Sequence, residues 1–439
     1  MPLLFLFPLL SSAADAPPGL ELSLRQAVDL ALAPDGNTRM QLAVEITRQS
    51  NARVTAARAA LLPNLDGSFA LRNQTENLAS FGFTFPAGLP FTIPTFVGPF
   101  TVFDARVTAT MNVFDFSTLR RYQASKTSLE ASKADRDSTR DQVTQQVART
   151  YLTAVRADDN VTTAKSNVEL SDALLKVARN QKDAGTGTGI DVVRAQVQQA
   201  NDRQRLVVAE LDRNQAYLQL SRVIGLDLAK TVTLTDRMSY IAVDATAIDA
   251  ALTTANAARE DLKAQSKRVD AARLNYSAAK MESLPSVGAE GDIGPIGTSV
   301  DNARVTRTVG LSVRIPIWDS GRRASQREDA QSQWKQEQIR LKDLREQVSL
   351  DVRLAADALQ SAETEISVAK EGLALSEQEL AQARRRFENG VASSIEVTDA
   401  QTRLQRARDN QIAALYAHNL ARIDWFAALG KIETTLGQH

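Results

Sequence analysis

The chain has 439 residues, enough for two or three ordinary domains, with 52 basic and 52 acidic side chains. A formal charge of zero supplies no long-range field toward nucleic acid, and none is expected as a partner. The absence of cysteine excludes disulfides, thiol nucleophiles and thiolate metal sites. His418 and His439 are the only histidines, and no phosphate loop, nucleophile elbow or metal motif is written. No catalytic, cofactor-binding or metal-ligating residue is therefore assigned, and an enzyme is not expected.

Residues 1–14, "MPLLFLFPLLSSAA", read as a secretory signal: an apolar run from Leu3 to Leu10 followed by small residues. No Lys or Arg precedes the run. The run is too short to cross a bilayer as a helix, and no later segment approaches eighteen apolar residues. If the chain spans a membrane, it does so with strands. "LSLRQAVDLALA" (22–33) then predicts a short amphipathic helix, and 37–61 a longer one.

A faint strand, "LPNLDGSFALRNQ" (62–74), precedes a loop over 75–101 that carries Phe81, Phe83, Phe85, Phe91 and Phe96. In 105–113, Ala105, Val107, Ala109, Met111 and Val113 alternate with Arg106, Thr108, Thr110 and Asn112, which predicts a strand with one apolar and one polar face. Proline is then absent from Phe100 to Leu284. Proline costs ~3 kcal/mol inside a helix, so its absence permits long ones. Residues 116–183 read as one helix of roughly 100 Å at about 1.5 Å per residue. Residues 190–224 read as its shorter antiparallel partner.

The same series is written a second time. "AIDAALTTANAA" (247–258) and 257–282 predict helices, 284–296 and 309–317 a hairpin closed by 297–307, and 322–388 and 395–429 a long and a shorter helix. "NQKDAGTGTGIDVVRAQ" (180–196) aligns with "RRFENGVASSIEVTDAQ" (385–401) at one constant offset: Gly185 with Gly390, Ile190 with Ile395, Asp191 with Glu396 and Gln196 with Gln401. Gly225 and Gly430 keep that offset. We read one half duplicated. The first repeat is 20–230, with its β-hairpin at about 62–115 and helical hairpin at 116–224. The second is 245–430, with its β-hairpin at about 284–318 and helical hairpin at 322–429. In each half, two shorter helices laid end to end nearly match the long one, which predicts a helical layer.

On alternation alone the hairpins fit an outer-membrane barrel equally with an ordinary hairpin on a soluble core. Their context favours the barrel, because nothing else in the chain could build a core beneath hairpins that cap such long helices. Four strands cannot close a barrel, and open edges are not tolerated in lipid, so several chains must contribute. Three chains would give twelve strands, a number the sequence does not force. At the turns, Gly185 and Gly390 suit left-handed helix C-caps. Thr188-x-x-Asp191 and Ser393-x-x-Glu396 then read as capping boxes. Capping does not account for Asp399, one helical turn beyond Glu396 on the same face.

With "LLPNL" and "SLPSV" entering the hairpins, "VFD" and "IWDSGRR" leaving them, and "RFENGVASSIEVTDAQ" with its weaker earlier copy, the whole mature chain resembles the TolC-like outer-membrane efflux proteins. The resemblance implies a mainly α fold with β: a long helical-barrel, coiled-coil domain plus four strands per chain in a trimeric twelve-stranded barrel in outer-membrane lipid. It further implies a passive exit duct reaching through the periplasm, with a periplasmic adaptor and an inner-membrane pump as partners and no cofactor. Without a cysteine near the signal, the chain departs from the lipid-anchored branch of that family.

The resemblance places both turns at the periplasmic tip. It assigns Glu396 and Asp399, with Asp191 of the first repeat, to acidic positions that face the pore. Six carboxylates from Glu396 and Asp399 of three chains would repel one another unless offset, and would favour cations. The family's basic residue two positions after the second glycine is Ala392 here. Arg194 or Arg386 is expected to take over its pairing. The aromatic at the family's tip position is Phe387 rather than a hydroxyl-bearing ring, so any hydrogen bond there is lost. A periplasmic adaptor would carry one helical hairpin and no duplicated barrel hairpin. A structural coiled coil would show sustained heptads where this chain has mixed Ala-rich spacing.

Overall fold

The computed structural model describes residues 20–82, 95–243, 247–389, 391 and 393–433. The candidate signal at 1–14 and Phe83, Phe85 and Phe91 lie outside the described residues, as do Gly390 and Ala392. In chain order, β1 (Leu20–Leu22), α1 (Leu24–Leu32) and α2 (Thr38–Ala59) lead into β2 (Asn64–Asn77) and β3 (Phe96–Phe114). The long α3 (Phe116–Asp183) and the shorter α4 (Gly189–Ile224) follow. Then come β4 (Val232–Leu234), α5 (Ile248–Ala258), α6 (Glu260–Met281), β5 (Ser286–Gly297), β6 (Arg304–Arg314), α7 (Arg322–Glu388) and α8 (Ser394–Ala428). The fold is mainly helical, and the order is the duplicated one.

Free of proline, α3 runs unbroken for 68 residues and α7 for 67. Among the described residues no helix is long and apolar enough to cross a membrane. β3 and β6 both differ from the alternation at their ends, and β6 begins at Arg304, not Val309, inside the stretch read as a closing loop. β3 begins at Phe96, not Ala105, because its ladder with β2 continues to the Phe96–Asn77 pair. β6 stops at Arg314, short of Ile317, since Pro316 has no N–H to give a ladder.

The chain divides into two compact units, and neither coincides with a repeat. One unit comprises 44–136 and 261–345. Its centre is a four-stranded antiparallel sheet in the order β2-β3-β5-β6, so the hairpins of the two repeats share one sheet. The register pairs Leu65 with Ala109, Val107 with Ile293 and Ala289 with Leu311. Side chains alternate between faces along a strand, so these residues lie together on one face with Phe69, Leu71, Val305 and Val309. That face is open: Val309 is 87% and Leu311 76% exposed. On the opposite face Arg106 bridges Asp104 and Asp292, each at 2.7 Å. β2 and β6 are the sheet's edges. Beside it, α2 meets the first part of α3 through the Ser50 and Ser132 hydroxyls at 2.7 Å. α6 meets α7 where Tyr276 stacks on Trp334 with ring centroids 5.8 Å apart.

The other unit comprises 1–43, 137–260 and 346–439. Leu22, Val28, Val147, Tyr151, Leu220, Ile224 and Ile423 form its apolar core, near the C-terminal ends of α4 and α8. α1 buries Leu24, Ala27, Val28 and Ala31, one stripe at helical spacing, and starts with a Ser23–Gln26 capping box. Asp236 fastens it to α3: one carboxylate oxygen accepts from the Leu24 N–H at 2.7 Å and from the Tyr151 hydroxyl at 2.8 Å. α4 and α8 both end on a left-handed glycine, Gly225 at φ 76° and Gly430 at φ 69°. A Cβ on Gly225 would lie 2.7 Å from the Gly36 carbonyl oxygen, so position and contact both demand glycine. His418 is fully buried on α8, its ring 4.9 Å from that of Tyr240.

One charge in this unit is poorly placed. Partial burial of Asp141 on α3, and then Glu433 and Glu260, push its carboxyl from 3.8 up to about 6. A carboxyl with a folded pKa above its unfolded value costs stability once both states are ionised, and nothing once both are protonated. Asp141→Asn is therefore expected to raise the melting temperature at pH 7–8, with the gain shrinking between pH 6 and about 4. Melting curves across that range check it, and a gain independent of pH would count against this account.

Candidate functional site

Both turns between a long and a shorter helix lie in the second unit described, and one backbone bond recurs in each. At the end of α3, Gly185 takes φ 73°. Its N–H donates to Lys182 C=O at 3.0 Å and the Thr186 N–H to Gln181 C=O at 2.9 Å, the paired bonds of a Schellman cap. At the end of α7 the Val391 N–H donates to Arg386 C=O at 2.9 Å, the matching bond of the second repeat. Gly390, expected to cap there, is outside the described residues.

The helices that follow begin differently. Asp191 accepts from the Thr188 N–H at 3.2 Å and from the Thr188 hydroxyl, so the first capping pair forms. Its other oxygen accepts from the Ser394 hydroxyl at the start of α8. Arg194 stands one turn along α4, 3.7 Å from the same carboxylate. The hydroxyls of Ser394 and then Thr188 hold the Asp191 carboxyl below the usual carboxylate range, against its partial burial. Asp191 is thus a tie between the two repeats as well as a cap.

The second capping box does not form. Ser393 has the extended backbone of an N-cap but makes no side-chain capping bond. Glu396 turns instead to α7, where the Arg386 Nε lies 3.0 Å from its carboxylate. A charged partner across the turn outcompetes a neutral N–H as donor. Arg386 is thus the cation that meets Glu396, and Arg194 stays with the acid of its own repeat. Asp399 is exposed and makes no hydrogen bond or ion pair among the described residues. Phe387 packs on the apolar cluster of Leu380, Ala383, Val397, Ala400 and Leu404. Its ring is therefore part of the packing beside the turns.

Ser394 was not legible as a functional residue, because beside Ser393 it reads as a second candidate cap. Close to the turns the helix interior also encloses polar side chains, which the sequence pattern did not reveal. Asn167, Ser171, Asp202 and Gln401 are each 5% exposed or less. Asp202 accepts from Gln198 Nε2 at 3.1 Å, and its burial pushes its carboxyl up. Asn167 accepts from Arg408 at 3.1 Å. Among the described residues no group of His, Cys, Asp and Glu could hold a metal ion.

A family model described as outer membrane efflux protein matches residues 33–226 and again 251–431, one match in each repeat. The chain is 24% identical over 340 residues to the pyoverdine export outer membrane protein OpmQ of Pseudomonas putida, covering 75% of this chain and 71% of that protein. It is 24% identical over 295 residues to the outer membrane protein TolC of Vibrio cholerae, covering 65% and 67%. Two similar solved structures are the CmeC outer membrane channel of Campylobacter jejuni (TM-score 0.78, 18% identity, covering 93% and 86%) and a membrane protein from Pseudomonas aeruginosa (TM-score 0.81, 18% identity, covering 93% of each). At that identity the structures bear on the fold alone, and they share its mainly helical architecture. The adaptor and coiled-coil readings give way to a family of outer-membrane efflux channels, which are not enzymes and extend into the periplasm. Matched in both repeats over most of its length, the chain belongs to the outer membrane efflux protein family.

Proposed function

We propose that three copies of this chain form a passive exit duct of a tripartite efflux or type I secretion system, gated by acidic residues at the two turns. The register of the four-stranded sheet carries the proposal. It gathers the apolar side chains on one exposed face and leaves β2 and β6 as edges. Unpaired strand edges are not tolerated in lipid, so closure requires β6 of one copy to pair with β2 of the next. Three copies give twelve strands, within the range of membrane barrels. The helical part then continues the path through the periplasm toward an adaptor and an inner-membrane pump. The pump supplies the energy, and opening is a shift between helix arrangements that partners bind unequally.

In this reading the turns divide two tasks. Ser394–Asp191 and Arg386–Glu396 hold the helices of one chain together, while Asp399, exposed and unpaired, is the carboxylate that faces its counterparts around the axis. Three Asp399 side chains, with partly offset Glu396, attract cations and repel anions. The Arg386–Glu396 pair is about half exposed and contributes only ~0–1 kcal/mol, so the more enclosed Ser394–Asp191 bond is the stronger tie.

Planar-bilayer recording tests the gate. The double substitution Glu396→Ala/Asp399→Ala is expected to raise single-channel conductance and weaken cation preference. Unchanged conductance and selectivity would return both carboxylates to local structure. Ser394→Ala removes a hydrogen bond to a charged group, worth about 1.5 kcal/mol, and should raise the open-to-closed ratio roughly tenfold. Ser393→Ala, which removes no capping bond, is the control and should leave gating as it was. Native mass measurement in detergent tests the assembly: a trimer is expected, and a stable monomer that never inserts would defeat the barrel.

A further inference from the structure

Between the two repeats, just beyond the Ser394–Asp191 tie, lies a cavity of about 30 Å³. Its walls come from all four helices: Ser171 of α3, Asp191 and Gln198 of α4, Phe387 of α7, and Thr398 and Gln401 of α8. Gln401 is 3% exposed, and its Nε2 has no hydrogen-bond partner among the described residues. A buried amide without a partner is costly, and such groups in native proteins are met by protein or by ordered water.

We propose that this cavity is a hydration site, holding one ordered water molecule that bonds to the Gln401 amide and completes the polar interior near the turns. Size selects the occupant. A cavity needs roughly 10–15 Å³ of this kind to admit a water, so there is room for a water and for little larger. Chemistry selects it too. The unmet group is an N–H donor, which disfavours a cation, and the Asp191 carboxylate on the wall disfavours an anion. The Ser171 hydroxyl already donates to Val168 C=O at 2.9 Å and the Thr398 hydroxyl to Ser394 C=O at 2.9 Å, so both oxygens remain free to accept. A molecule that accepts from Gln401 and donates to a wall oxygen satisfies every group. Water does so even if the amide is turned end for end, because it can serve either atom.

The site has a consequence for gating, which rests on the duct reading. Its walls belong to both repeats, so moving α7 and α8 away from α3 and α4 removes one side of it. A ligand that binds one arrangement better than another shifts the population toward it. The water therefore favours the arrangement in which the Ser394–Asp191 tie is made.

A crystal structure of the intact protein at a resolution that shows ordered solvent, with melting curves, tests the hydration site without reference to transport. One solvent peak is expected within about 2.6–3.2 Å of the Gln401 amide and of a second polar wall atom. Gln401→Leu and the more flexible Gln401→Met should each abolish the peak, with the melting temperature unchanged or raised, since an apolar side chain removes the unmet donor. A Gln401 amide bonded directly to protein, or a site without the peak, would overturn the proposal. So would a fall of several degrees in both variants, since it would mean that Gln401 serves a protein partner. A protein that shows the peak but never conducts would refute the duct and leave the hydration site standing.

Discussion

The pairing of β3 with β5 is the constraint on which the rest of the molecule depends. It is the seam at which the hairpin of the first repeat meets that of the second. Because side chains alternate with period two, a slip of one residue at this seam would put Val107 and Ala109 on the polar face of their neighbours. In the register observed, four separate amphipathic strands become a single sheet with one apolar and one polar face. The same pairing leaves β2 and β6 with unmatched backbone groups. In the proposed duct those groups are what further chains would meet, and the apolar face is what would lie against lipid.

The duplication has kept backbone and released side chains. Left-handed glycines end α4 and α8 alike, and the bond from Thr186 to Gln181 reappears from Val391 to Arg386. These are geometric requirements, and few residues can meet them. The first acidic residue after each turn has no such constraint. Asp191 caps its own helix and ties the repeats, whereas Glu396 has left the cap to pair with Arg386. The two repeats therefore present different charge arrangements at matching positions.

The interior of the helical unit mixes apolar and polar side chains along its length. Thr144, Ser221, Asn419 and Arg422 are buried next to Val143, Leu220 and Ile423, and Asn167, Ser171, Asp202 and Gln401 are enclosed in the part that also holds the apolar cluster of Leu380, Val397 and Leu404. Apolar burial is favourable wherever the groups meet, whereas buried polar groups gain only when each bond is made.

Helix lengths, the duplication and the polarity of each strand were legible in the sequence because they are local. Proline's absence over 100–284 permits an unbroken α3, and a period-two pattern marks Ala105 to Val113 as a strand whatever its neighbours. The resemblance also pointed to the turns, since Gly185 and Asp191 recur as Gly390 and Glu396. Partners across space were not legible. Nothing in the order of residues says that Ser394 donates to Asp191, that Arg386 and not Ser393 meets Glu396, or that the Gln401 Nε2 is enclosed without a partner among the described residues. Those pairings join positions on different helices, and they follow from how the helices pack. Local steric rules write the elements into the sequence, but only packing between distant segments decides which charges meet and which are left over.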